Sequence, residues 1–362
     1  MPSPQLEREF WRRKAKLTLL FLVVFSACLF LLALMMTPIR SSHEQRIKAE
    51  LVSNHNQILE LTELTLQQRM LQMARDVRFL ASLENLIPED TSAPIPEDSD
   101  LANIFTRLVE LNPAYDQVRL LRTDGQEILR ADRANEGARL VPASELQNKL
   151  LRYYVTAAAR TPTGQVYFSP LDLNIEHGEI ERPLKPVIRV AVKVLTDTPD
   201  SDLILVINYS ANALLSQIRG LFAAGPSQKS MLVSQDGYWI VAPDPKWEWG
   251  AQLGNEAHRL QNYDPDLWRT MLNARSGKME SPEKIYTFRQ VFPFHQVPEL
   301  GGENGGASQT YWYIISEIDQ SAWHGKSFVE GRAGQLTVLV LIALSAVVSL
   351  AFTLLIAERR ED

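Results

Sequence analysis

Residues 120–129 read LLRTDGQEIL, and residues 232–241 read LVSQDGYWIV. Each is an apolar run, a turn and a second apolar run, with Asp124-Gly125 and Asp236-Gly237 at the same place in the turn. An Asp-Gly pair supplies the positive φ that a tight hairpin turn requires, so both stretches predict antiparallel hairpins. The strands are expected at Gln117–Leu121 and Gln126–Arg130, and again at Ser230–Ser234 and Tyr238–Ala242. The segments downstream of the two hairpins are also alike. After the first, a helix is expected from Pro142 to Arg160 with Ser144 as its cap. Strands come next at Gln165–Ser169, Val187–Leu195 and Asp202–Ile207, and a helix at Asn212–Leu221. After the second come a helix, Asp264–Ala274, and strands at Lys278–Glu280, Ile285–Phe292 and Thr310–Ile318. Hairpin, helix and three strands thus occur twice, which predicts an α+β protein with two antiparallel-sheet modules. The boundary is expected at Gly225-Pro226, within Ala224–Gln228, giving modules at 87–224 and 225–327. The run Gly301–Gly306 reads as the loop between the last two strands.

Upstream, Ser41 to about Asn85 contains neither Gly nor Pro. Ile47, Leu51, Ile58, Leu61, Met70, Ala74, Val77 and Ala81 recur at mostly helical or heptad spacing, which predicts one long entry helix over 38–86. Such a stripe suits packing on the modules or against a second copy in a homodimer, and the sequence leaves both open. The acidic, Pro-rich stretch Pro88–Asp100 ends the helix, and Leu101–Glu110 reads as a short one.

Two segments are apolar enough to cross a bilayer. Leu17–Met36 carries no charge, and neither does Ala333–Ala357; the spans are placed at 17–37 and 333–357. The second has small residues, Ala343, Ser345, Ala346 and Ser349, suited to close helix contact. Five basic residues against Glu7 and Glu9 in the tail 1–16 place the N-terminus in the cytoplasm, and a second span returns the tail 358–362 there. Asp319 is expected to cap the helix leading into the second span. The tails carry +3 and −1 of the total charge of −6, leaving −8 between them. That acidity argues against a nucleic-acid partner. Cys28 is the one cysteine, so no intrachain disulfide forms, which fits a bacterial envelope.

Tyr167–Arg189 reads YFSPLDLNIEHGEIERPLKPVIR. It resembles a stretch found in one large branch of the double Cache sensors. Asn208–Ala211, NYSA, and Gly237-Tyr238-Trp239 followed by Trp247–Gly250 resemble the same branch. The resemblance covers roughly Ile39 to Ser327. It implies two PAS-like modules on a long helix, flanked by two transmembrane helices, as in bacterial histidine kinases, diguanylate cyclases and chemoreceptors. The amino-acid-binding branch has an Arg-x-Trp-Tyr pattern; Arg152-Tyr153-Tyr154-Val155 is out of register with it, so amino-acid binding is not implied. Nor does an output domain follow in Glu358–Asp362, so the expected partner is a separate kinase or cyclase. The sensor half of a truncated receptor and a non-signalling periplasmic binding or scaffold protein are the alternatives.

Catalytic chemistry has little to stand on. The six His residues show no metal-ligand spacing, and there is no nucleophile elbow or phosphate loop. No catalytic residue, metal or cofactor is assigned. Recognition remains. Asp172, Asn174, Glu181, Lys185 and Arg189 fall close together, and Arg189 lies inside the apolar strand VIRVAVKV. A buried guanidinium must be paired or serve a ligand, and its fork of donors suits a carboxylate. Tyr153 and Tyr154 are expected to wall the pocket. Two roles for Arg189 stay open: pairing with Asp172 or Glu181 to pin the loop, or binding a carboxylate-bearing small molecule. Tyr238, Trp239, Trp247 and Trp249 form an aromatic cluster that reads as core packing.

Overall fold

The computed structural model describes residues 4–176, 178–194, 202–223, 228–294, 310–319, 321–324 and 331–359. Residues 224–227 of the expected boundary, the Gly301–Gly306 loop, His177, His295 and tail residues 360–362 lie outside the described residues. Contacts divide the chain into two units, residues 1–54 with 319–362, and residues 55–318.

Helix α1 runs unbroken over Pro4–Ala81, with Pro38 inside it. Its hydrophobic N-terminal part belongs to the first unit, and its remainder to the second. In the second unit, α2 (Asp100–Leu111) is capped by Ser99, whose side chain accepts from the Ala102 N–H. Strands β1 (Tyr115–Arg122), β2 (Glu127–Arg133) and β3 (Ala138–Leu140) follow. Then come α3 (Tyr153–Arg160), β4 (Val166–Phe168), β5 (Asp172–Leu173), β6 (Ile175–Glu176), β7 (Glu179–Ile180), β8 (Pro186–Val194), β9 (Leu203–Ser210) and α4 (Asn212–Phe222). The second half holds β10 (Gln228–Ser234), β11 (Trp239–Val241), α5 (Gly250–Leu253), α6 (Leu260–Tyr263), α7 (Pro265–Leu272), β12 (Ser276–Glu280), β13 (Lys284–Val291) and β14 (Trp312–Asp319). The short α8 (Ser321–His324) and the apolar α9 (Arg332–Glu358) complete the described chain. Asp319 thus ends β14, and the helical continuation expected after it is in two pieces, α8 and α9.

The sheets share one connectivity. The first is ordered β3-β2-β1-β9-β8-β4, with β5 also paired to β8; the second is β11-β10-β14-β13-β12. Leaving aside the short extra strands, both place the hairpin at one side and the last strand in the centre. The chain is therefore an α+β protein with two antiparallel sheets on a long helix.

One core joins the sheets to α1. Leu59, Leu66, Met70, Met73, Ala74, Val77 and Leu80 of the helix pack with Val118, Leu120, Val190, Leu205 and Ile207 of the first sheet and Leu232 and Ile314 of the second. Met70, Ala74 and Val77 lie on the buried face as expected, whereas Leu61 is 50% exposed. The buried stripe runs through Leu59, Leu66, Met73 and Leu80 at heptad spacing, and Leu61 lies about 200° around the helix from Leu59. The opposite faces carry separate cores, Leu121, Val155, Ala158, Ala191 and Val206 beneath α3, and Met231, Val233, Leu267 and Met271 with α7.

Two expectations need correction. The helix expected from Pro142 begins only at Tyr153, after a 3-10 turn at Ala143–Glu145. Residues between them pair with the hairpin instead: Glu127 N–H donates to Gln147 O (3.1 Å) and Lys149 N–H to Gly125 O (2.7 Å). The aromatic cluster also divides. Trp239 and Trp247 are 6.1 Å apart, centre to centre, but Trp249 packs in the core around α1, and Tyr238 lies under the Arg259 guanidinium at 4.2 Å.

In the first unit, α1 and α9 are both long and apolar enough to cross a membrane. Ser345, Ser349 and Thr353 of α9 are buried, and Ser349 Oγ lies 4.0 Å from Cys28 Sγ of α1. Their hydroxyls donate to carbonyls one turn back, at 2.9, 2.7 and 2.7 Å. Ala343, expected on this face, is exposed.

Candidate ligand-binding site

The site is built by strand register on the α3 side of the first sheet. In β8, Ile188 and Val190 enter the core around α1 while Ala191 faces α3. Arg189, two residues from Ala191, shares its face. Arg189 pairs across to Asn208 on β9, and Asn208 to Gln117 on β1. Three strands thus set Gln117, Asn208 and Arg189 in one row. The Asn208 amide donates to Gln117 Oε1 at 2.8 Å.

Arg189 is 5% exposed. Its Nη1 donates to Asp172 Oδ1 at 2.7 Å and to the Tyr153 hydroxyl at 3.4 Å, and its Nη2 donates to Asn174 Oδ1 at 3.2 Å. Its guanidinium carbon stands 4.9 Å from the centre of the Tyr154 ring. The Tyr153 hydroxyl donates to Asp172 Oδ2 at 2.5 Å. Glu181 does not pair with Arg189; it accepts from the Asn174 amide at 2.8 Å. Lys185 takes Asp116 at 2.6 Å, with Glu181 farther away at 3.9 Å. All seven residues singled out in the sequence therefore belong to one connected group. Arg189, Asp172, Asn174, Tyr153 and Tyr154 form its centre, and Glu181 and Lys185 lead away from it.

Electrostatics follow from burial. Desolvation works to lower the Arg189 guanidinium, but the Asp172 charge and Tyr153 outweigh it, so the proton is held more tightly than usual. Burial, reinforced by Asp172, pushes the Tyr153 phenol above its ordinary range and Tyr167 up to about 12.

Sequence reading missed a second buried cation. Arg119 of β1 is 3% exposed, and its Nη1 donates to the Tyr154 hydroxyl at 2.8 Å. It also donates to Gln117, and its Nε lies 3.4 Å from Glu127 Oε1. Tyr154 thus touches both guanidiniums, one through its ring and one through its hydroxyl. The signal was present in QVRLL, a charge inside an apolar strand, as in VIRVAV. Among the described residues, Arg119 Nε and Asn208 Oδ1 are buried without hydrogen-bond partners. The face holds a donor fork at Arg189 and an acceptor without a hydrogen bond at Asn208 Oδ1 for a small polar molecule, while Arg119 Nε is held by the Glu127 charge.

Residues 48–297 match the family model of the bacterial histidine kinase sensor domain. This chain belongs to that family. The sensor's fold recurs in Cache-type extracellular domains. One is the extracellular domain of vpHK1S-Z8, named as a histidine kinase, at 18% identity and TM-score 0.61, covering 79% of this chain and 96% of that one. Another is a domain from Vibrio parahaemolyticus, named as of the sensory box/GGDEF family, at 19% identity and TM-score 0.61, covering 78% and 99%. A third is the ligand-binding domain of the Campylobacter jejuni chemoreceptor Tlp3 in complex with L-valine, at 13% identity and TM-score 0.50, covering 78% and 98%. No curated protein matches the sensor.

Proposed function

We propose that the sensor is anchored in the bacterial inner membrane by two spans and binds a small carboxylate-bearing molecule on the α3 face of its first sheet. The signal then passes across the membrane to a signalling protein such as a kinase or cyclase. One observation carries the reading: two buried guanidiniums, Arg119 and Arg189, meet at one aromatic side chain, Tyr154. A carboxylate entering there exchanges with Asp172 for the Arg189 fork, and freeing Asp172 releases the segment that carries it. That segment pairs with β8, the strand holding Arg189, so occupancy and loop position are linked. The Tlp3 domain's complex with L-valine, a small carboxylate, is in keeping with this ligand class. A ligand biases the sensor only by its differential affinity for the two states, typically about 1–3 kcal/mol.

The Arg189–Asp172 contact of 2.7 Å also favours a second reading, in which the pair only latches the loop. Thermal unfolding of the detergent-solubilised full chain against a panel of small carboxylates separates the two. Binding predicts a saturable rise in midpoint for at least one acid, lost in Arg189→Ala and weakened in Arg189→Lys, which keeps the charge without the fork. A latch predicts no acid response that depends on Arg189 and a lower midpoint in Arg189→Ala, since breaking a buried pair costs about 3–5 kcal/mol.

A further inference from the structure

Strand β9 also serves the opposite side of the first sheet. Asn208 faces α3, and the next residue, Tyr209, faces α1. Tyr209 is 1% exposed, and among the described residues its hydroxyl has no hydrogen-bond partner. Its cross-strand neighbour Tyr115 stands 6.3 Å away, ring to ring, and differs in this respect: the Tyr115 hydroxyl donates to Asp76 of α1. Leaving a buried hydroxyl unpaired costs about 1–3 kcal/mol, so its position calls for an explanation.

The hydroxyl belongs to a residue lining a cavity of about 140 Å³, bounded by Arg69 and Gln72 of α1, the turn 112–114, Tyr115 and Tyr209. No hydrogen bond or ion pair to another described residue engages Arg69. Burial pushes the Tyr209 phenol up, and the nearby Arg69 charge opposes that rise. The cavity is therefore lined by one residue with an unpaired guanidinium and by another whose buried hydroxyl is unpaired, two donors for one acceptor group. Asp76 limits the charge that fits. It already accepts from Tyr115 and, at 3.5 Å, from the Gln72 amide, and no ion pair among the described residues joins it to Arg69. Among the described residues Arg69 is the one cation lining the cavity, so it matches a single negative charge, and a dianion beside Asp76 is repelled. The volume lies below the roughly 300–1,000 Å³ of sites for larger ligands, which leaves room for an acid of only a few heavy atoms.

We propose that this cavity is a second ligand site, which takes a small monocarboxylate between Arg69 of α1 and Tyr209 of β9. A ligand here ties the long helix directly to the central strand of the first sheet. It shares β9, but no named side chain, with the Arg189 site.

Acetate titration of the detergent-solubilised full chain, read by thermal unfolding, tests this. Acetate should raise the midpoint saturably and beyond equal chloride. Tyr209→Phe removes only the unpaired hydroxyl, so the protein folds; it and Arg69→Gln should each weaken acetate about tenfold, as expected for a hydrogen bond to a charged group. The part of the acetate response that falls in Tyr209→Phe and Arg69→Gln belongs to this cavity, and any part that falls in Arg189→Ala belongs to the first site, which separates the two. The proposal fails if Tyr209→Phe and Arg69→Gln titrate like wild type, if acetate does no more than chloride, or if sulfate gives the larger response.

Discussion

Gly125 and Gly237 occupy the equivalent turn of each hairpin, both with φ of +84°. They differ in what a side chain would meet. A Cβ on Gly125 would fall 2.3 Å from the Leu150 backbone nitrogen, and one on Gly237 would fall 2.0 Å from the end of the Gln261 side chain. Backbone cannot retreat, whereas a glutamine end can rotate. Gly125→Ala is therefore expected to lower stability by about 1–3 kcal/mol, and Gly237→Ala by less. Chemical denaturation of the two variants checks the order; equal losses would mean that backbone conformation alone sets the effect. The same residues show what is legible locally. Asp-Gly declares its turn within two positions, and Arg189 declares itself as a charge in an apolar strand. The partner Asp116 of Lys185 and the Arg69–Tyr209 cavity are not legible, because they exist only where distant segments are brought together by tertiary packing.

Elements behaved according to how much of their pattern is local. The strands on either side of each Asp-Gly turn lie where alternation and turn chemistry put them. The helix expected from Pro142 is shorter because the hairpin edge claims the backbone groups of Gln147 and Lys149, a competition no window of sequence contains. In α9 the small-residue face was visible, but its register was not. Ser345, Ser349 and Thr353 repeat every four residues and are buried, while Leu350 beside them is 53% exposed. Because Ser349 Oγ lies 4.0 Å from Cys28 Sγ, Ser349→Cys should form a disulfide with Cys28 on mild oxidation, within one chain. Leu350→Cys should not. Non-reducing electrophoresis reads the outcome: a monomer of altered mobility supports this pairing of the two helices, and a dimer band for Ser349→Cys would assign the stripe to a second copy.

Across the second unit, α1 is fastened to both sheets by polar contacts set along its apolar stripe. Toward its C-terminal end, Asp76 meets Tyr115, and Arg78 donates to Gly164 O at 2.7 Å. Earlier in the helix, Glu63 pairs with Arg289 at 2.9 Å, and His55 Nδ1 lies 2.5 Å from Ser316 Oγ, which is 2.9 Å from Ser230 Oγ. The first sheet is thus read at one stretch of the helix and the second at another, so a shift of α1 is felt by both. The His55 contact makes the second attachment sensitive to pH. Burial lowers its pKa from 6.5 to about 4, and the folded protein keeps the ring neutral where the unfolded chain protonates it. Between those two values the unfolded state binds more protons, so stability rises with pH. The contribution is fully present above 6.5 and is lost as pH falls toward about 4, amounting to about 3 kcal/mol. His55→Gln removes the titration, so its unfolding free energy should depend less steeply on pH over this window than that of wild type. Parallel denaturant titrations of both proteins across the window measure the difference. Identical slopes would mean that His55 is solvated in the folded protein and does not fasten α1 to the second sheet.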